Sequence, residues 1–300
     1  MCIRDRAWQG LGRVYSNQAG FGEIPRAEGM RLAKMALHRA LSIDPDYAFS
    51  YANLATIASQ ENDRRAAAKY FEIAMAKSPG EQGIVTSVAV FLQGVGRLDD
   101  AIRLHHFALQ RDPGSAIILG DLGVDYYFAG KFPEAIDYSR RSLALSPDYV
   151  GAHTIIGTSM LLSGGDAGEA LEEIRAEQNE IFRMSALPLA FDALDRKSEA
   201  DAAFEQFLAK HGESQPVLVA GIHAERHDAD RAFEWLEKAL VANDSYLPYV
   251  PIEPLMRNLH DDPRWTPFLR RAGLTPEQLA TIQLRVTLPS PTPETVAASP

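Results

Sequence analysis

Histidines are the residues of this chain whose spacing comes nearest to a chemical site. His223 and His227 are four residues apart, which places both on one face of a helix, and His211 lies upstream. A zinc ion would require a third and a fourth ligand around such a pair. The adjacent His105 and His106 point to different faces. We therefore predict core and turn histidines at these positions, and no metal site.

No other residue pattern predicts catalysis. Gly94-Val95-Gly96 lacks the rest of a phosphate-binding loop. Cys2 is the single cysteine, so neither a disulfide framework nor a thiolate metal site is possible. No serine or cysteine lies in a nucleophile motif. We predict a protein that is not an enzyme and takes no cofactor.

The composition and net charge of the chain argue against nucleic acid and membranes as its main partners. The 300 residues are 46% hydrophobic and 23% charged, with a net charge of −10. An acidic chain is a poor ligand for nucleic acid or for an anionic membrane. No apolar run approaches the ~18 residues that a membrane-spanning helix needs, so we predict no membrane insertion.

The first six residues are left out of the fold prediction. Residues 1–6 read as a translated sequencing adapter, which we treat as an artefact. We therefore expect the natural N-terminus to be missing. A cytoplasmic location is predicted, and a periplasmic one stays open because a signal peptide would lie in the missing part.

Four prolines recur every 34 residues and divide much of the chain into equal units. They are Pro45, Pro79, Pro113 and Pro147. Because the residue before a proline is disfavoured in a helix, each proline predicts that a helix ends there. A long loop near 17–25 separates the two helices of the first unit.

When the 34-residue units are aligned, other positions also carry similar residues in successive units. With Ala48 as position 1, position 8 is small in four successive units: Ala55, Ala89, Gly123 and Gly157. Small residues recur where two helices approach closely, because interaxial distance depends on side-chain size. Position 24 is bulky and apolar in most units but is His105 or Ser139 in two of them. We expect looser packing there.

A 34-residue period with these columns resembles the tetratricopeptide repeat, a stacked helix–turn–helix unit. The resemblance implies an all-α, right-handed α-solenoid of about seven repeats over residues 7–245. The proline-rich residues after 245 break the period. We predict a C-terminal helical cap over residues 246–284, since an open solenoid must cover its last apolar face. Residues 285–300 are predicted to be a disordered tail.

The resemblance also implies where a partner binds. In tetratricopeptide repeats the first helix of each unit lines a concave groove, and a protein or peptide ligand is the expected partner of a chain that is monomeric in isolation. Asn53 and Tyr127 are expected to face solvent. The groove positions are Arg13, Asn17, Asn53, Thr56, Gln60, Thr86, Gln93, Asp121, Tyr127, Phe128, Thr154 and Thr158.

The C-terminal phrases 232–240, 262–265 and 269–274 carry a narrower resemblance. They are similar to the repeat module of bacterial signalling proteins that begin with an adenylate cyclase or a winged-helix domain. This favours the regulatory part of a truncated signalling protein. Two alternatives remain open at this point: a stand-alone adaptor or assembly factor, and a fragment of a repeat-bearing glycosyltransferase.

Overall fold

The computed structural model describes residues 2–20 and 24–289, with side chains from residue 6 onward. Within these ranges the chain is helical, without any β-strand, as the repeat pattern predicts. None of the described helices is both long and apolar enough to cross a membrane. The described residues form two compact units: residues 2–20, 24–91 and 281–289 in unit 1, and residues 92–280 in unit 2.

Unit 1 contains two helical hairpins and the beginning of a third. Its hairpin helices pack in order, each against the next. Leu37, Leu54 and Ile57 lie at the centre of its core, with Tyr15 and Tyr70 packed against them. The helices are α1 (Cys2–Gly20), α2 (Arg26–Ile43), α3 (Ala48–Gln60), α4 (Arg64–Lys77) and the first part of α5 (Gln82–Gly94).

Unit 2 continues the same pattern with four complete hairpins. In each of them the two helices pack against one another, and successive hairpins contact as well. The helices are α6 (Leu98–Arg111), α7 (Ala116–Phe128), α8 (Phe132–Leu145), α9 (Ala152–Leu162), α10 (Ala167–Ala176), α11 (Glu180–Ala193), α12 (Lys197–His211), α13 (Pro216–Glu225), α14 (Ala229–Ala242), α15 (Trp265–Ala272) and α16 (Pro276–Ala280).

The four periodic prolines end helices as predicted. Helices α2, α4, α6 and α8 each end two residues before one of them. The fifth hairpin has no such proline, and there Asn179 caps the next helix by accepting a hydrogen bond from the Phe182 amide. Pro188 lies inside α11 without ending it.

Small residues allow the hairpin helices to approach closely. A Cβ atom on Gly123 would lie 2.3 Å from Ser139 Oγ, and one on Gly157 would lie 2.5 Å from Ile174 Cγ1. The expected loose packing at position 24 is wrong for this reason: Ser139 fits against a glycine. His105 is likewise fully buried, because its ring is held by acidic side chains described below.

The first helices of the unit 2 hairpins form one layer. Helix α7 contacts α9, α9 contacts α11, and α11 contacts α13. We call the surface that these four helices share the inner face of unit 2. It lies where the repeat pattern predicts the groove.

Residues 243–280, which we call the C-terminal segment, cover the last hairpin of unit 2. This stretch contains the 3₁₀ turn Leu247–Tyr249, the 3₁₀ helix Pro254–Leu259, and then α15 and α16. The ring of Phe268 lies edge-on to Phe233 of α14, with centroids 6.4 Å apart. Arg264 pairs with Asp230 at 2.7 Å. Trp265, Phe268 and Leu269 are buried, so the apolar side of α15 is covered.

Residues 281–289 have no regular secondary structure and belong to unit 1. Ile282 and Leu284 are buried, and Arg65 Nη2 donates to Thr281 Oγ1 at 3.5 Å. The predicted boundaries of the artefact, the cap and the disordered tail stay predictions. Residues 290–300 of the tail lie outside the described residues.

Candidate functional site

The inner face of unit 2 contains a largely apolar cavity of about 190 Å³. Its walls come from helices α7, α9, α11 and α13, and part of its lining comes from the C-terminal segment through Tyr246, Glu253 and Leu255. We call it the closed cavity because the C-terminal segment lies across part of it, although it is not fully enclosed. Its apolar lining includes Val124, Ile155, Phe182, Leu189, Leu218 and Ile222.

Two contacts hold the C-terminal segment over this cavity. The hydroxyl of Tyr127 donates to Glu253 Oε1 at 2.7 Å. The rings of Phe128 and Tyr249 stack with centroids 5.3 Å apart and planes 5° from parallel. As a result Tyr127 is only 5% exposed, and Phe128 9%. The expectation that Tyr127 faces solvent is wrong, because the chain's own residues 246–255 lie across that part of the groove.

Glu253 is a buried carboxyl group. Besides the Tyr127 hydroxyl, its Oε1 accepts a hydrogen bond from the Leu255 amide at 3.2 Å. Burial raises the pKa of Glu253, and these two hydrogen bonds offset only part of that effect. Burial, together with the nearby carboxyl group, raises the pKa of Tyr127 well above its ordinary value. The tyrosine is therefore a hydrogen-bond donor at physiological pH.

Hydroxyl groups on the cavity wall donate their hydrogens away from the cavity. Thr158 donates to the Thr154 carbonyl at 2.6 Å, and Ser185 donates to the Phe182 carbonyl at 3.0 Å. Thr154 itself faces Glu177 Oε2 at 3.5 Å. Since those hydrogens are used, these oxygens offer lone pairs to anything in the cavity.

A second, open cavity of about 590 Å³ adjoins the first one. Thr158, Leu189 and Leu255 line both. We call this the open cavity. Its remaining lining is more strongly charged and includes Asp192, Lys197, Asp201, Glu225 and Arg226.

Arg226 is the central cation of the open cavity. Its Nε donates to Asp192 Oδ2 at 2.7 Å, and its Nη1 lies 3.2 Å from Asp201 Oδ1. Its Nη2 is buried, and no described residue accepts a hydrogen bond from it. Burial raises the pKa of the nearby Glu225. The open cavity thus presents both a guanidinium donor and carboxyl acceptors.

A chain of buried polar groups lies at the other end of the inner face. Gln93 Nε2 donates to Asp125 Oδ1 at 2.6 Å, and His105 Nδ1 lies 2.6 Å from Asp125 Oδ2. On its other side, His105 Nε2 lies 3.6 Å from Asp121. The Tyr149 hydroxyl, whose pKa is raised by burial and by the charge of Asp121, donates to the Ile117 carbonyl at 3.4 Å.

The pKa values of this cluster follow from burial and charge. Burial lowers the pKa of His105, but the hydrogen bond and charge of Asp125, together with Asp121, outweigh it, so that the pKa is raised. Burial raises the pKa of Asp121 to about 6 against the opposing charge of His105. His105, Asp121 and Asp125 thus link helices α6 and α7.

The predicted groove residues divide equally between the two units. Of those in unit 2, Tyr127, Phe128, Thr154 and Thr158 come together at the closed cavity, whereas Gln93 and Asp121 belong to the buried polar cluster. In unit 1, Arg13, Asn17, Thr56 and Gln60 are exposed, and Thr86 is half-buried. Asn53 is also half-buried, and its Nδ2 has no hydrogen-bond partner among the described residues.

The histidines and glycines considered for chemistry lie in ordinary structural positions. His223 is buried edge-on to Phe204, with centroids 4.9 Å apart, and burial lowers its pKa. His227 occupies a turn with a φ of 58°. Gly96 also lies in a turn, with a φ of 74°. No group of metal-binding side chains occurs in the part of the chain that the structure describes.

Sequence reasoning missed Glu253, Glu225 and Arg226. Two of them lie on or next to the turn after α13, a position that the repeat pattern treats as variable. Glu253 lies in the proline-rich break, where no periodicity assigns a direction to its side chain. The one available signal is a carboxyl residue within an otherwise apolar stretch.

Known proteins with this architecture identify the fold. A tetratricopeptide repeat protein from Parabacteroides merdae superposes with a TM-score of 0.58 at 15% identity, covering 84% of this chain and 99% of that one. The fold is of the tetratricopeptide-repeat type. A chain of the APC/C hetero-tetramer Cut9-Hcn1 gives a TM-score of 0.55 at 15% identity, covering 88% of this chain and 52% of that chain.

Sequence comparison agrees with this fold. The chain is 24% identical over 228 residues to the cell division cycle protein 16 homolog of Mus musculus. The match covers 68% of this chain, and the chain spans 37% of the length of the mouse protein. The sequence matches no protein-family model.

Proposed function

We propose that this chain is a non-catalytic protein–protein interaction module, and that the open cavity on the inner face of unit 2 receives an extended segment of a partner protein. The observation that carries the proposal is Arg226 Nη2, a buried donor at the cavity wall for which no described residue is an acceptor. Leaving such a donor unsatisfied costs about 1–3 kcal/mol. A carbonyl or carboxylate of a bound peptide would satisfy it.

The size and lining of the open cavity support a peptide. About 590 Å³ is room for several residues of an extended chain rather than for one side chain. Asp201 and Glu225 can accept hydrogen bonds from peptide amides, while Leu161 and Leu162 offer apolar contact. The fold likeness agrees, since one of the chains that share this fold belongs to the APC/C hetero-tetramer Cut9-Hcn1.

The finer part of the proposal is that the module is the regulatory part of a bacterial signalling protein in the cytoplasm. Its support is the resemblance of the C-terminal phrases, whose residues include Phe233 and Arg264. Sequencing the gene upstream of the codon for Ala7 tests this part. An adenylate cyclase or winged-helix domain there would support it, and a start codon directly upstream would contradict it.

The partner site is tested by site-specific photo-crosslinking followed by titration. A photoreactive residue at Leu161 is expected to capture the partner, which is then identified and purified. We expect Arg226→Ala to weaken binding of that partner at least about tenfold, which corresponds to about 1.4 kcal/mol.

Two controls locate the effect. Arg231→Ala removes an exposed arginine of the same hairpin, and Glu172→Ala removes an exposed carboxylate on α10; both are expected to leave the affinity unchanged. If Glu172→Ala abolishes binding while Arg226→Ala does not, the opposite face is the working surface.

A further inference from the structure

Four hydroxyl groups that line the closed cavity already donate their hydrogens within the protein, so each offers only an acceptor oxygen to a ligand. Thr154, Thr158 and Ser185 donate to Glu177 or to carbonyls of their own helices, and Tyr127 donates to Glu253. The amide of Gly151 is also used, since it donates to Glu177 at 3.0 Å. Apart from the Tyr246 hydroxyl, which also lines the cavity, these groups favour a ligand that brings its own donors over one that brings acceptors.

The one acidic side chain on the closed cavity has no cation of its own. Both hydrogen bonds that Glu253 accepts fall on Oε1, which leaves Oε2 for a further donor. No described cation forms an ion pair with this carboxyl group, and Arg257 acts on it only through its charge at longer range. A buried carboxylate of this kind is stabilised by an incoming cation.

Aromatic rings complete the lining. Tyr127, Phe128, Phe182 and Tyr246 all border the closed cavity, and the first two have ring centroids 5.6 Å apart. The face of an aromatic ring attracts a cation, and the attraction grows when water is excluded. The apolar side chains between the rings suit an alkyl chain.

We propose that the closed cavity binds a primary alkylammonium group, either that of a small free amine or that of a lysine side chain on a bound protein. The ammonium hydrogens would bond to Glu253 Oε2 and to the hydroxyl oxygens, and the alkyl chain would lie among the apolar side chains. The volume of about 190 Å³ is adequate, since an apolar cavity of about 150 Å³ takes up benzene. This inference is independent of the proposed partner in the open cavity.

The test compares two probes of equal size. Butylammonium and neutral 1-butanol are titrated into the full chain and followed by chemical-shift changes. We expect butylammonium to bind at least about tenfold more tightly. Glu253→Gln should remove that preference, because the amide oxygen keeps both accepted hydrogen bonds while the charge is lost. Glu205→Gln, which neutralises an exposed carboxylate of α12 outside both cavities, is the control and should keep the preference.

A second variant and a pH series test the site independently of Glu253→Gln. Ser185→Phe should fill the cavity and abolish binding of both probes. Binding should weaken as pH falls and Glu253 takes up a proton; the charged or titratable groups around it are Tyr127, Tyr246, Glu225 and Arg257. Equal affinity for the two probes, or an unchanged preference in Glu253→Gln, would overturn the proposal.

The two sources of the ammonium group are separated by peptides. A blocked tripeptide with a central lysine is compared with the same peptide carrying norleucine. Competition of the lysine peptide with butylammonium supports a partner's side chain, while binding of butylammonium alone supports a free amine. Binding of neither contradicts the proposal without affecting the partner site at Arg226.

Discussion

His105 occupies a position where most repeats carry a bulky apolar residue, and its buried ring lies between two aspartates. The imidazole lies 2.6 Å from Asp125 and 3.6 Å from Asp121. His105 and Asp125 are both completely buried. Removing one member of a buried ion pair leaves the other without compensation, which is far more costly than losing an exposed pair.

His105→Leu is therefore expected to lower the free energy of unfolding by about 3–5 kcal/mol. Urea titration measures this. The double variant His105→Leu, Asp125→Leu should be less destabilised than the single one, since the completely buried Asp125 carboxylate is no longer left without its partner. Arg103→Ala on the same helix removes an exposed ion pair and should change stability by at most about 0.5 kcal/mol. An equally small effect of His105→Leu would contradict the buried pair.

Asp121 should make stability fall as pH rises. Its pKa is raised to about 6, so the folded state binds this proton more tightly than the unfolded state does between about pH 4 and pH 6. The raised pKa of His105 acts in the same direction: its contribution is complete below about pH 6.5 and is lost as pH rises through the folded-state pKa.

Asp121→Asn is expected to remove the aspartate part of this dependence. The pKa change from 3.8 to about 6 corresponds to at most about 3 kcal/mol. Between pH 4 and pH 8, the stability of the variant relative to the wild type should rise by up to that amount. Denaturant unfolding at both pH values measures it, and parallel pH profiles would show that Asp121 is not shifted.

At the scale of elements, the repeat helices were predictable and the contacts of the C-terminal segment were not. Helix ends follow from prolines every 34 residues, and close packing follows from small residues such as Gly123, because each acts within one hairpin. Tyr127 and Glu253 are 126 residues apart. The repeat pattern predicts contacts between repeat helices, but it predicts none between a repeat helix and the C-terminal segment, which has no repeats. The sequence therefore could not show that this segment covers Tyr127 and Phe128.

The C-terminal segment is expected to stabilise unit 2. Phe268→Ala removes a buried ring that packs on Phe233 and should cost about 3–5 kcal/mol. Thermal unfolding measures it. Deleting all residues after Asn243 should lower the melting temperature further or cause aggregation, because Tyr127, Phe128 and Phe233 become exposed. A monomeric truncated chain with an unchanged melting curve would contradict the capping role.

At the scale of the whole molecule, the chain begins in unit 1, continues through unit 2, and returns to unit 1 with residues 281–289. Ile282 and Leu284 are 8% and 4% exposed. Burying one such side chain contributes about 1.5–3 kcal/mol. These residues are buried and belong to unit 1, although they are distant in sequence from its helices.

Ending the chain after Ala280 is therefore expected to destabilise unit 1. Hydrogen exchange should become faster at the amides of α3 and α4, while the amides of α9 to α14 keep their protection. A chain that ends after Pro289 is the matched control and should exchange like the full chain. Faster exchange in unit 2 alone would place the contribution of residues 281–289 elsewhere.

The return of residues 281–289 also sets an order for synthesis. A ribosome releases residues 24–91 long before it releases the segment that completes their core, and unit 2 is translated in between. Domains usually fold as they emerge, the N-terminal one first. In this chain unit 1 is synthesised first but completes its fold last. Nascent chains would therefore expose the surface that Ile282 and Leu284 later cover. A chaperone that binds apolar surfaces could bind there throughout elongation.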